Sequence, residues 1–135
     1  MKRHYKKEYW KDIPEVIPAA KTNNWNSNMI YHINPIYQVS SNGRVRNKYT
    51  GRILSVREYT GYSQVTLTGQ YEAGWMAATQ NKMWMNQKMR PISLSVGRLV
   101  AAAFLAGEGL QPWFIVKHMD KDPHNNCLDN IDIKY

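Results

Sequence analysis

The chain has 135 residues, enough for one domain with a real core and too few for two ordinary ones. Eighteen Lys and Arg against ten Asp and Glu give a net charge of +8, unevenly spread: residues 20–100 hold ten basic and two acidic side chains, residues 101–135 three and five. Cys127 is the only cysteine, which excludes an internal disulfide and a cysteine-built zinc knuckle and fits a reducing compartment, and no stretch reaches the roughly 18 apolar residues of a membrane helix.

A basic domain of this kind most often meets a polyanion, because Lys and Arg that neutralise phosphates release condensed counterions. Here the charge is interleaved with Tyr and Trp, so nucleic acid is the expected partner and a membrane is not. Residues 1–9, "MKRHYKKEY", read as a basic arm without the apolar run of an export signal, and the protein is expected to be soluble and unexported. "YWKDIPEVIP" gives Trp10, Ile13, Val16 and Ile17 as an apolar strip; Pro14 and Pro18 oppose a long helix, so a docked irregular segment is expected. Residues 19–36 are rich in Asn and read as a loop, in which Trp25 and Tyr31 serve either as anchors or as nucleic-acid contacts.

From Tyr37 the pattern turns to β. "YQVSSNGRVRN" puts Tyr37 and Val39 on one face, has "SNG" as a turn and continues through Val45. "GRILSV" and "GYSQVTLTG" predict further short strands bounded by Gly51, Gly61 and Gly69. The resulting antiparallel sheet is expected to carry Arg44, Arg46, Arg52 and Arg57 on its polar face; Arg44, Arg46, Lys48 and Arg52 are expected to contact phosphates, with Arg57, Lys82, Lys88 and Arg90 as helpers. Residues 70–92 hold Trp75, Met76, Met83, Trp84, Met85 and Met89, and read as a hairpin on the domain's own core or as a surface for a protein partner. Val96, Leu99, Val100, Ala103 and Phe104 recur at helical spacing, with Ser95 as N-cap and Gly107 as stop. "PWFIVKH" then predicts a strand ending at His118, and "LDNIDIKY" a returning strand.

"VKHMDKDPHNNCLDNIDI" resembles the HNH motif of homing endonucleases, and "VGRLVAAAFL" resembles the segment that precedes it. "WKDIP" followed by "YQVSSNGRVRN" resembles the NUMOD-type module found in front of HNH domains. The resemblance implies an α+β fold: a small antiparallel β module over 10–69, one core helix, and over 93–135 a ββ hairpin of the ββα-metal type without its final helix. It implies metal-dependent endonuclease or nickase chemistry, with Mg2+ or another divalent metal and His118 as general base, since imidazole titrates near neutrality. By the same resemblance Asn130 positions the histidine's strand, while Asp120, Asn125, Asn126 and Asp129 support the loop.

Three departures bear on that chemistry. Lys117 stands where the family carries a metal ligand, and a protonated amine has no acceptor lone pair. The second ligand comes from a following helix, expected beyond Tyr135, where the given sequence ends. Gly97 stands where the family usually has His. The expected function is therefore DNA binding with a degenerate metal site. The alternative is an inactive effector, as the family's prevalence in bacteriophages suggests, that occupies a host nucleic-acid-handling protein in the bacterial cytoplasm through the Met and Trp segment.

Overall fold

The computed structural model describes residues 7–18, 30–72, 82–106 and 115–134. In chain order the strands are β1 (Trp10–Asp12), β2 (Val16–Pro18), β3 (Ile30–Ile33), β4 (Tyr37–Ser40), β5 (Val45–Asn47), β6 (Arg57–Tyr59), β7 (Tyr62–Glu72), β8 (Arg90–Ser95), β9 (Ile115–His118) and β10 (Ile131–Lys134). One helix, α1 (Val96–Val100), follows β8 and continues as a π-wound segment, Ala101–Ala106. The described residues thus form the expected α+β architecture: antiparallel sheets around one short helix.

The long strand β7 organises the largest sheet. Gln64 pairs with Arg57 and Ser95, and Gly69 pairs with Ile33 and Arg90, so β8 covers one edge of β7 while β6 and β3 share the other. Alternation buries Ser63, Val65 and Leu67 and turns Tyr62, Gln64 and Thr66 outward. A second sheet has the order β1-β4-β5, and β9 pairs with β10 as a hairpin. The inward residues Val39, Val45, Val65, Leu67 and Ile92 meet Val96, Leu99 and Val100 of α1 in one core cluster. Because sheets flank α1, Val96, Gly97, Leu99 and Val100 are all buried and only Arg98 is half-exposed.

Four expectations are corrected in detail. The segment expected to be irregular forms β1 and β2, each pairing with one neighbour only, and Pro14 lies between them where a missing N–H breaks no ladder bond. Part of the Asn-rich loop is β3, whose Tyr31 packs edge-on against Tyr71 at 5.3 Å and is an anchor. "GRILSV" contributes only a single bridge, Arg46 to Ile53. Gly69 lies inside β7 rather than at its end, because the approach of β3 and β8 leaves no room for a side chain: a Cβ there would sit 2.5 Å from the His32 carbonyl oxygen and 2.9 Å from Ile92 Cδ1. Ser95 stands at the N-cap position of α1, although its side chain makes no capping bond. Gly107, Trp25, Trp75 and Met76 lie outside the described residues.

Candidate functional site

The β9–β10 hairpin delivers His118 at its loop end, where it pairs with Ile131. Strand alternation leaves Val116 and His118 half-buried and Ile115 and Lys117 exposed, so Lys117 occupies the opposite face of β9 from the imidazole. Across the loop, His118 Nε2–H donates to Asn126 Oδ1 at 2.8 Å. An amide oxygen only accepts, so this bond fixes the ring tautomer and leaves the Nδ1 lone pair as the basic site of the neutral imidazole. Gly97 of α1 makes the arrangement possible. A Cβ at that position would meet Asn126 Oδ1 at 3.0 Å, Val116 Cγ1 at 3.2 Å and His118 Nε2 at 3.6 Å, so a histidine there would displace the pair.

A hydrogen-bond network centred on Asp120 holds the loop between the strands. Its Oδ1 accepts from the Asp122 N–H at 2.8 Å and from Asn130 Nδ2 at 2.9 Å, and its Oδ2 accepts from Asn125 Nδ2 at 2.8 Å. Asn130, buried, also accepts the Asp120 N–H at 2.9 Å and donates to the Asn125 carbonyl at 2.8 Å. These donors, the Asn125 amide foremost and then the Asp122 N–H, hold the Asp120 carboxyl down at about 2. Asp129, in the turn Leu128–Asn130, is exposed.

The donor set does not fit a resident divalent metal. A hard cation needs several oxygen ligands around one point, yet among the described residues no three His, Cys, Asp or Glu side chains converge on one point, and Asp120 Oδ1 already accepts two hydrogen bonds. A cavity of about 230 Å³ opens beside the loop, lined by Asn42, Glu58, Ser63, His124 and Asn126 among others, but His118 does not line it.

The second constellation is a cationic face on the β1-β4-β5 sheet. Register aligns Asp12, Gln38 and Arg46 across the three strands. Arg46 donates from Nε and Nη2 to Gln38 Oε1, at 3.0 and 2.8 Å, with its guanidinium 4.0 Å from the Trp10 ring centroid. Gln38 passes the polarity on by donating to Asp12 Oδ1 at 2.9 Å. Arg44, over the same ring at 5.5 Å, is bidentate to Glu8, and Lys48 lies 3.5 Å from Asp12. The Arg44 bond is the main reason the Glu8 carboxyl is lowered, and the Gln38 bond the main reason for Asp12. Among the described residues, carboxylate pairs hold Arg44 and Lys48 but not Arg46, Arg52 or Arg57.

The basic residues therefore do not share one sheet face as expected. Arg46 belongs to β5 and Arg57 to β6 of another sheet, while exposed Arg52 lies in the connection between them. Exposed Arg90 lies in β8, on the far side of β7 from β6, over the Tyr71 ring at 5.5 Å, and Lys82 and Lys88, also exposed, precede that strand. Sequence reasoning missed two roles: Trp10 as the ring under two guanidinium groups, and Asn126 as the partner of His118. The only signal for the first was a Trp facing an R-x-R pair.

Residues 8–68 match the NUMOD4 motif. Comparison with curated proteins gives no match. A solved structure described as DNA binding and cleavage by the HNH homing endonuclease I-HmuI is similar, with a TM-score of 0.56 and 24% sequence identity. The likeness covers 93% of this chain and 52% of that one, so the present chain spans about half the length of its structural relative. The chain thus carries a NUMOD4 motif over residues 8–68, and its fold is similar to that of the HNH homing endonuclease I-HmuI.

Proposed function

We propose that this chain is a DNA-binding protein of the HNH homing-endonuclease type, in which the face built round Trp10 grips the phosphate backbone and the His118 hairpin is a scaffold without a metal-cutting centre. The observation that carries this reading is Arg46. Its guanidinium is stacked on Trp10 and forked onto a neutral oxygen, which spends two of its five N–H donors and leaves three for phosphate on a side chain already ordered. Arg52, whose carbonyl accepts from the Asn47 N–H of β5 at 2.9 Å, extends the charge. Arg44 and Lys48 join it when their ion pairs open, which costs little because such exposed pairs are worth only about 0–1 kcal/mol. The NUMOD4 match covers this face, and the structural relative is described as binding and cleaving DNA.

One observation favours a second reading, hydrolysis. The Asn126 bond leaves His118 Nδ1 free to take a proton from an attacking water, with Asn130 and Asp120 keeping the loop in place. A single pair of assays separates the two. Binding to a labelled duplex is read by anisotropy at physiological salt, where non-specific affinities run from roughly 10⁻⁴ to 10⁻⁶ M. Supercoiled plasmid is incubated with Mg2+ or Mn2+. The expected result is binding without relaxation. Metal-dependent relaxation that disappears in His118→Ala would transfer the function to the second reading, and failure to bind duplex would sink the first.

A further inference from the structure

The β6–β7 hairpin ends in two tyrosines that the core does not use. Tyr59 and Tyr62 are register partners on either side of the two-residue turn Thr60–Gly61, where Gly61 adopts φ 90°, a conformation that favours glycine. Their rings stack at 5.1 Å with an interplanar angle of 20°, yet remain 40% and 41% exposed. Alternation puts Arg57 on the face of Tyr59 and Gln64 on the face of Tyr62, while Glu58 and buried Ser63 form the pair between them, on the other face. Beyond Arg57 and Gln64 the outward surface of β7 is neutral and hydrogen-bonding, with Thr66 bonded to Ser93 at 3.2 Å. The tip is also tied to the histidine loop. His124 Nε2–H donates to the Tyr59 carbonyl at 2.7 Å, and Asn126, two residues on, holds His118.

An exposed aromatic pair flanked by a guanidinium and an amide suits a nucleobase, whose flat face stacks on a ring whatever its identity. A continuous duplex hides those faces between neighbouring pairs. Two rings already stacked on each other offer a flat surface to a base that has left the helix. We propose that Tyr59 and Tyr62 form a platform for one unpaired nucleobase, so that DNA with an unstacked base beside the His118 loop is bound in preference to a continuous duplex. The proposal rests on the DNA-binding reading and names the DNA form it selects.

The test uses the full chain, a continuous duplex, and the same duplex with one unpaired 2-aminopurine. Stacking of a base on a protein ring is worth roughly 1–3 kcal/mol, so the unpaired site should bind about tenfold more tightly. Its fluorescence should be quenched on binding. Tyr62→Ala should bring the affinity ratio between the two DNAs close to one, and Tyr62→Phe, which keeps the ring, should preserve it. Equal affinities in the wild type with unchanged 2-aminopurine emission would overturn the platform and leave duplex binding standing. Absence of binding to either DNA would overturn the DNA-binding reading and the platform with it.

Discussion

Asp120 is ionised in the folded chain because three donors converge on it, and this gives the loop a defined acid sensitivity. Its folded pKa, about 2, lies below the ordinary carboxylate value. The charged form is therefore the one the fold favours. The associated stability is fully present above the unfolded value of about 4 and is lost as pH falls through about 2. Thermal denaturation of the wild type between those limits should show a falling midpoint, and Asp120→Asn, which cannot change charge there, should flatten that fall. An unchanged acid limb would assign it to other carboxylates. Asn130 is the complementary test. Its amide makes three bonds while buried, so Asn130→Ala strands the Asp120 N–H and the Asn125 carbonyl, removes one of two donors to Asp120 Oδ1, and should cost about 2 kcal/mol by urea unfolding. The sequence motif indicated that His118, Asp120, Asn125, Asn126 and Asn130 belong together. It could not indicate that Asp120 accepts three donors from its own loop, since Asp spends its oxygens according to geometry. Nor could it foresee Glu8 reaching Arg44, a pair 36 residues apart.

Strands and helix were readable where one face alone is buried. Tyr37, Val39 and Val45 alternate as expected, as do Val65 and Leu67, and the apolar stripe of α1 is the part of the core that helical periodicity announces. β3 was hidden because it is four residues long and its partner, the far end of β7, begins 36 residues later. Gly69 was misread because glycine signals both a strand end and a close backbone approach, and only the neighbours distinguish the two. That distinction is measurable. Gly69→Ala must push β3 and β8 apart, and should destabilise by about 3 kcal/mol, as overpacking in a tight core does. Leu99→Ala should cost a similar amount for the opposite reason, a cavity in the middle of the core. Chemical denaturation would check both; a neutral Gly69→Ala would show that the strand junction has slack.

The NUMOD4 segment and the histidine hairpin are joined by direct bonds. The Leu128 N–H donates to the Ser41 carbonyl at 2.8 Å, His124 binds the Tyr59 carbonyl, and Ile131 belongs to the same core cluster as Val39 and Val65. The hairpin is thus fixed relative to the Trp10 face: it completes the core and carries the surface beside the basic sheet. If that face grips phosphates, affinity should fall linearly on a plot of log K against log salt, with a slope of about −0.9 per phosphate neutralised. Arg46, which has no carboxylate partner among the described residues, should contribute a full contact. Arg46→Ala should then flatten the slope by about 0.9. Lys48, which must first leave Asp12, should contribute less, and Lys48→Ala should change the slope by a smaller amount. A titration of duplex binding by salt for the wild type and both variants decides the matter: equal slopes for all three would place the phosphate contacts elsewhere on the chain.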